Sequence, residues 1–254
     1  MGKKWQFWID RGGTFTDIVA LSPDDQIITH KLLSDNPEHY SSAPVEGIRQ
    51  ILNIPVGQLL PMDAIEVIKM GTTVATNALL ERKGEPVLLV TNRGFKDALR
   101  IGYQHRPNIF ARHIILPEML YQRVVEVEGR FSATGEELQP LNLSAIEADL
   151  QRAFEDGFRS CAVVLLHSYL IPDHELSIGA IAHSLGFTQV SLSHEVSSLM
   201  KWVSRGDTTV VDAYLSPVLR SYIQQVESNL HPVRENVPPL MFMQSNGGLV
   251  ASRY

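Results

Sequence analysis

Residues 7–21 read FWIDRGGTFTDIVAL, two apolar runs on either side of a polar turn centred on Gly12 and Gly13. Such runs around a glycine pair predict two antiparallel strands joined by a hairpin. Turning the chain does not require Asp10, Thr14, Thr16 and Asp17 to crowd around the glycines. Successive backbone N–H groups in a tight turn converge on an anion. Gly12 and Gly13 let a phosphate approach with no Cβ in the way, and Thr14 and Thr16 add hydroxyl donors. Asp10, at a strand end, suits Mg2+ held through water, because hard cations take oxygen ligands. An ordinary hairpin with a polar tip accounts for the same residues, and local chemistry leaves both readings open.

Outward from the hairpin, strand-like and helix-like segments alternate. IITHKLLS at 27–34 suits a third antiparallel strand. APVEGIRQILN at 43–53 spaces Val45, Ile48, Ile51 and Leu52 as one helical face. IEVIKMGTT at 65–73 is a strand running into a polar turn, and VATNALLERKG at 74–84 a helix with Gly84 at its C-cap. PVLLVTN at 86–92 is a strand, GFKDALRIG at 94–102 a short helix, and YQRVVEVEGRF at 121–131 a further strand. Ser144 and Glu147 form a capping-box pattern ahead of a helix. SCAVVLLHSY at 160–169 is the continuous apolar run of a strand buried on both faces. A helix follows, with Pro172 near its start and Gly186 near its end, then a strand in QVSLSHEVS at 189–197. Residues 205–230 are the longest helical stretch, with Pro217 as an expected kink, and PLMFMQSNGG at 239–248 is a last strand. The alternation implies an α/β fold in which helices flank a mixed sheet. Two α/β segments are expected, 1–100 with the hairpin and 141–254, with the irregular residues 103–140 an excursion between them.

Composition narrows the partners. The chain has 254 residues, 44% hydrophobic and 20% charged, with a net charge of −6 and no basic block. Nucleic acid and anionic membrane are therefore not expected partners. No apolar run approaches the roughly 20 residues that span a bilayer, and the N-terminus reads as a strand rather than a signal peptide. Cys161 lies in an apolar run and is expected in the core; a single cysteine rules out an internal disulfide, and a reducing cytoplasm is the expected compartment. His105, His113 and His167 are too scattered to suggest a metal site.

DRGGTFTD at 10–17 resembles the first phosphate loop of the hydantoinase/5-oxoprolinase family. Four further stretches match that family in order: MGTTVATNALLERKG at 70–84, TNRGFKDALRIGYQHRP at 91–107, LMKWVSRGDTTVVDAYLSP at 199–217 and FMQSNGGL at 242–249. The resemblance implies the N-terminal lobe of an actin-like/ribonuclease-H-like ATPase fold. It also implies an ATP- and Mg2+-dependent hydrolase that opens a small cyclic amide, with 5-oxo-L-proline the foremost substrate. Hydantoin hydrolases and ketone carboxylase subunits share the layout. Phosphorylating a lactam oxygen turns a poor electrophile into a reactive one, so such an enzyme must aim a γ-phosphate at a small ring.

On this reading Asp10 holds Mg2+, and Gly12, Gly13, Thr14 and Thr16 cradle phosphates, with Asp17 orienting the hairpin. Thr72, Thr73 and Asn77 sit where a strand enters a helix, and suit either capping or an anion. Gln104 and Arg106 suit either a surface loop or the grip of a substrate carboxylate. Helix-dipole reasoning accounts for Asp207 near a helix start but not for Arg205, which is a candidate for an active-site cleft or a domain contact. The family pattern continues with a second phosphate loop and an adenosine region, and no second D-x-G-G motif occurs here. The chain is thus expected to be an N-terminal portion, inactive alone, completed by a C-terminal remainder or a separate B-type subunit. An apolar face left uncovered would favour oligomers. A non-catalytic nucleotide-binding module and a small-molecule kinase of the same superfamily are the alternatives.

Overall fold

The computed structural model describes residues 2–104, 108–116, 118–230 and 238–252. The chain falls into two units, Met1–Arg82 with Val218–Tyr254, and Lys83–Pro217.

The first unit opens with β1 (Trp5–Arg11), β2 (Phe15–Leu21) and β3 (Ile27–Leu33), each antiparallel to the next. Period-2 alternation turns Phe7, Ile9, Ile18 and Ala20 into the core and Trp8, Asp10, Asp17 and Val19 outward. Helix α1 (Ala43–Ile51) covers the inner face through Val45 and Ile48. It lies so close that a Cβ on Gly47 would stand 2.1 Å from Ile18 Cδ1. β4 (Ile65–Thr72) then runs parallel to β1, and α2 (Val74–Leu80) follows directly.

The second unit is built on β5 (Val87–Asn92). After α3 (Ala98–Ile101) comes β6 (Tyr121–Val127), then the small hairpin of β7 (Arg130–Phe131) and β8 (Glu137–Gln139). Helix α4 (Leu143–Glu155), β9 (Ser160–Val164), α5 (Asp173–Leu185), β10 (Gln189–Leu192) and α6 (Ser193–Val196) complete the alternation. The sheet order is β10-β9-β5-β6, with every neighbouring pair parallel. β5 and β9, in its middle, are buried along their whole length, as their unbroken apolar runs predict. Cys161 is among them, and burial pushes its thiol up to about 12.

Helix α7 (Trp202–Leu230) contains Pro217, and the boundary between the units falls immediately after that proline. Its C-terminal part sends Tyr222, Ile223, Val226 and Leu230 to the core of the first unit. β11 (Leu240–Met243) pairs parallel with β4, and β12 (Leu249–Ala251) pairs antiparallel with β11. The first sheet therefore reads β12-β11-β4-β1-β2-β3, a mixed sheet.

Several expectations are corrected. The divisions fall at 82/83 and 217/218 rather than at 100 and 141, because β11 returns to β4. Residues 103–140 are not wholly an excursion, since β6 belongs to the second sheet. The N-cap of α4 is Asn142, whose side chain accepts from Ala145 N at 3.1 Å, in place of Ser144. Helix α2 ends at Leu80, and Gly84 is small for a different reason: an added Cβ would stand 2.2 Å from the Tyr214 ring.

On its second face the first sheet exposes Trp8, Phe15, Val19, Leu33 and, at 73%, Ile27. Lys69 Nζ sits 5.0 Å over the Trp8 ring and Lys31 Nζ 4.9 Å over Phe15. No helix among the described residues is long and apolar enough to cross a membrane.

Candidate functional site

β1, β4 and β11 are parallel to one another, so their carboxyl ends share one edge of the mixed sheet. In open α/β sheets ligands gather at that edge. Here it carries the hairpin of residues 11–15, the entry to α2 and the turn after Met243.

The hairpin is held from below by Ser34. Its N–H donates to the Thr14 carbonyl at 2.9 Å, and its hydroxyl donates to the Gly12 carbonyl at 2.7 Å. The same hydroxyl lies 3.0 Å from Thr16 Oγ1. Gly12 N–H is used inside the turn, bonded to the Phe15 carbonyl at 3.0 Å. Among the described residues the N–H groups of Gly13 and Thr14 donate to nothing. Both residues are exposed, so two adjacent amides and the Thr14 hydroxyl are free for an anion. Gly13 lies close under Asn77: a Cβ there would stand 3.2 Å from Asn77 Nδ2, a tight contact.

Asn77 is placed by Thr73, whose carbonyl accepts its N–H at 2.8 Å and whose hydroxyl accepts from its side-chain amide at 3.3 Å. Thr73 N–H in turn donates to the Arg11 carbonyl at 3.3 Å, which fastens the start of α2 to the hairpin. Thr72 Oγ1 accepts from Val74 N at 3.2 Å. Arg11 reaches Asp35 at 3.1 Å and lies 5.0 Å over the Tyr222 ring; burial pushes the Tyr222 hydroxyl up to about 12.

Asp10 and Asp17 are direct cross-strand partners, both on the exposed face. Like charges in that relation repel. Lys31 offsets Asp17 at 2.9 Å, whereas Asp10 forms no ion pair among the described residues. Gly71 lies across from Asp10, and a Cβ on Gly71 would be 3.5 Å from Asp10 Oδ1 and 3.7 Å from Met243 Cε. An uncompensated carboxylate beside a side-chain-free residue fits a hydrated divalent cation, and the free amides of Gly13 and Thr14 fit phosphate oxygens.

The structure thus brings together Asp10, Gly12, Gly13, Thr14, Thr72, Thr73 and Asn77. It turns others away. Thr16 is fully buried with its hydroxyl on Ser34, because alternation along β2 points it inward, so it offers no hydroxyl to a phosphate. Asp17 is paired with Lys31 at 2.9 Å on the exposed face. Arg205 is 0% exposed in the second unit. Its guanidinium donates to the carbonyls of Leu199 at 2.9 Å and Leu165 at 2.5 Å and lies 5.5 Å from the Tyr169 ring, while its buried Nε has no partner among the described residues. Gln104, in the second unit, is exposed with φ 58°. Arg106 lies outside the described residues.

Sequence reasoning missed Ser34 and Arg11. Ser34 immediately follows the third strand, and only the antiparallel register places it under the turn. It missed also Glu175, fully buried in the second unit. Glu175 accepts from Leu165 N at 2.9 Å, Ser193 Oγ at 2.6 Å and both His194 N at 3.1 Å and Nδ1 at 2.7 Å. A lone Glu in a helix gives no sequence signal of burial. No cluster among the described residues has the make-up of a protein-bound metal site.

A mixed sheet flanked by helices, with a glycine hairpin at the carboxyl ends of its parallel strands, defines an α/β protein of the actin-like class. The chain belongs to the hydantoinase/oxoprolinase family. The family model described as Hydantoinase/oxoprolinase N-terminal region matches residues 6–186, and that described as Hydantoinase/oxoprolinase matches residues 205–254. A 5-oxoprolinase of Dictyostelium discoideum is 44% identical over 97% of this chain, and 5-oxoprolinase 1 of Arabidopsis thaliana is 42% identical over 97%. The chain spans 22% and 21% of those proteins. The solved ATP-dependent caprolactamase of Pseudomonas jessenii superposes with a TM-score of 0.82 at 30% identity, covering 97% of this chain and 36% of that one. A nucleotide-free acetone carboxylase shares the fold, with a TM-score of 0.79 at 19% identity over 98% of this chain and 37% of its own.

Proposed function

We propose that this chain is the phosphate-binding part of an ATP-dependent cyclic amide hydrolase, and that the ring opened is 5-oxo-L-proline, giving L-glutamate. The observation that carries the reading is the hairpin, with two free amides at Gly13 and Thr14 beside the uncompensated carboxylate of Asp10. The 5-oxoprolinase relatives favour that ring, and the ATP-dependent caprolactamase favours nucleotide use by a cyclic amidase.

Each residue then has a physical task. Gly13 and Thr14 N–H groups and the Thr14 hydroxyl hold the terminal phosphates in one orientation, which converts an encounter into a positioned reaction. Asp10 holds Mg2+ through water. When bound, Mg2+ would offset charge on the phosphoryl group that ATP would supply to the amide oxygen with loss of ADP, and water would then open the activated ring with release of phosphate. Thr72, Thr73 and Asn77 line the same edge and face the ring side, with Asn77 also limiting the space above Gly13. Ser34 keeps the turn rigid from beneath.

Full turnover is assigned to the complete polypeptide or to an assembly with a second subunit, in keeping with the 22% of the Dictyostelium protein that the chain spans. The test is ATP- and Mg2+-dependent release of glutamate from 5-oxoproline by the complete natural polypeptide. Asp10→Ala is expected to lower turnover by roughly a hundredfold. Unchanged turnover in that variant removes the hairpin from the mechanism.

A further inference from the structure

Tyr222, in the C-terminal part of α7, packs against the core of the first unit and reaches the carboxyl ends of β1 and β4. Arg11 and Thr72 are the last residues of those strands, and the parallel register pairs them directly. The Arg11 guanidinium lies 5.0 Å over the Tyr222 ring. Its ion pair with Asp35 reaches a side chain that is 79% exposed. Exposed pairs of that kind stabilise little, whereas a cation over an aromatic face gains more as it is desolvated.

The Tyr222 hydroxyl oxygen is buried, and among the described residues no hydrogen bond of full geometry satisfies it. A buried hydroxyl without a partner costs stability, and a phenylalanine would fill the same space without that cost. Burial pushes this hydroxyl up to about 12, with Arg11 and Thr72 pulling it down, so it stays protonated and able to donate. Thr72 Oγ1 is the acceptor at hand, and it takes only a long bond from Val74 N at 3.2 Å. A threonine oxygen has two lone pairs and one proton. If Val74 N and Tyr222 both donate to it, the Thr72 proton is left for whatever occupies the edge.

We propose that Tyr222 is a positioning residue of the hairpin site: with the site occupied, its hydroxyl donates to Thr72 Oγ1, and Thr72 in turn donates to an acceptor oxygen of the bound molecule. Arg11 holds the Tyr222 ring in place for this. The chemistry selected is an oxygen with free lone pairs, which a phosphate and a cyclic amide both carry, and not a ring N–H. The inference rests on the hairpin being the site of the proposed reaction.

The test is calorimetric titration of the complete natural polypeptide with Mg2+ and ATP and, separately, with 5-oxoproline, together with melting of each unliganded variant. Tyr222→Phe is expected to melt at or above the parent's temperature, because an unsatisfied hydroxyl is gone, and to lose affinity roughly tenfold for the ligand that Thr72 touches. The arm that weakens tells whether the oxygen belongs to the nucleotide or to the ring. Thr72→Val is expected to weaken the same arm, and the double variant to lose no more than Thr72→Val alone. Lower melting of unliganded Tyr222→Phe, parental affinity in both arms, additive losses in the double variant, or a parent that binds neither ligand would overturn the inference. A parent that binds ATP but releases no glutamate fails the amidase reading alone. One that releases glutamate while Tyr222→Phe keeps parental affinity for both ligands fails this inference alone.

Discussion

Asp10 and Gly71 face each other across the parallel β1/β4 ladder, and a Cβ added to Gly71 would stand 3.5 Å from Asp10 Oδ1. That spacing is ordinary contact for a single methyl group. Gly71→Ala is therefore expected to fold normally and, in the complete polypeptide, to keep most of the proposed ATP turnover. Gly71→Val places a branched side chain beside Asp10, at the proposed Mg2+ position, and is expected to lower turnover of the complete polypeptide roughly tenfold, since small misplacements at a reacting centre are costly. Steady-state ATP hydrolysis against Mg2+ concentration checks this; equal rates for the two variants would refute it.

Ser34→Ala removes the hydroxyl that reaches both the Gly12 carbonyl and Thr16 Oγ1. The buried Thr16 hydroxyl is left without its partner, at a cost of about 1–3 kcal/mol. Thermal melting should fall, and Ser34→Thr should recover part of the loss. A melting temperature unchanged by Ser34→Ala would show that the turn does not depend on this contact.

Arg205→Ala strips the donors from the carbonyls of Leu165 and Leu199 and leaves a void in a fully buried position. The expected loss is about 2–4 kcal/mol of stability. Denaturant unfolding measures it. An Arg205→Ala chain as stable as the parent would show that these contacts do not support the fold.

Asp207 gives a pH-dependent prediction. Partial desolvation, in a residue that stays exposed, raises its carboxyl above the usual value of 3.8. A raised folded-state value favours the protonated form in the fold, so the group does no harm below the unfolded value. Its cost appears as pH rises through 3.8 and the folded value, and persists at neutrality. Asp207→Asn is thus expected to raise the melting temperature at pH 7 and to leave it nearly unchanged near pH 3. Stabilisation of equal size at both pH values would show that charge is not the cause.

Much of this architecture is readable from local pattern. Alternation in FWIDRGGTFTDIVAL is enough to place β1, β2 and the turn, because the two-residue repeat of a strand is a property of neighbouring residues. The unbroken apolar run at Cys161 likewise marks β9 as a central strand, since a strand covered on both faces has no polar side to show. Family membership, too, follows from five ordered motifs. Distant partners are another matter. Met243 comes beside Gly71 only because β11 returns to β4 from far along the chain. Thr16 turns from Asp10's face to Ser34 because register, not composition, selects the side of a sheet. Arg205 reads from sequence as a candidate for an active-site cleft or a domain contact; its full burial against two carbonyls depends on what the rest of the fold sets around it.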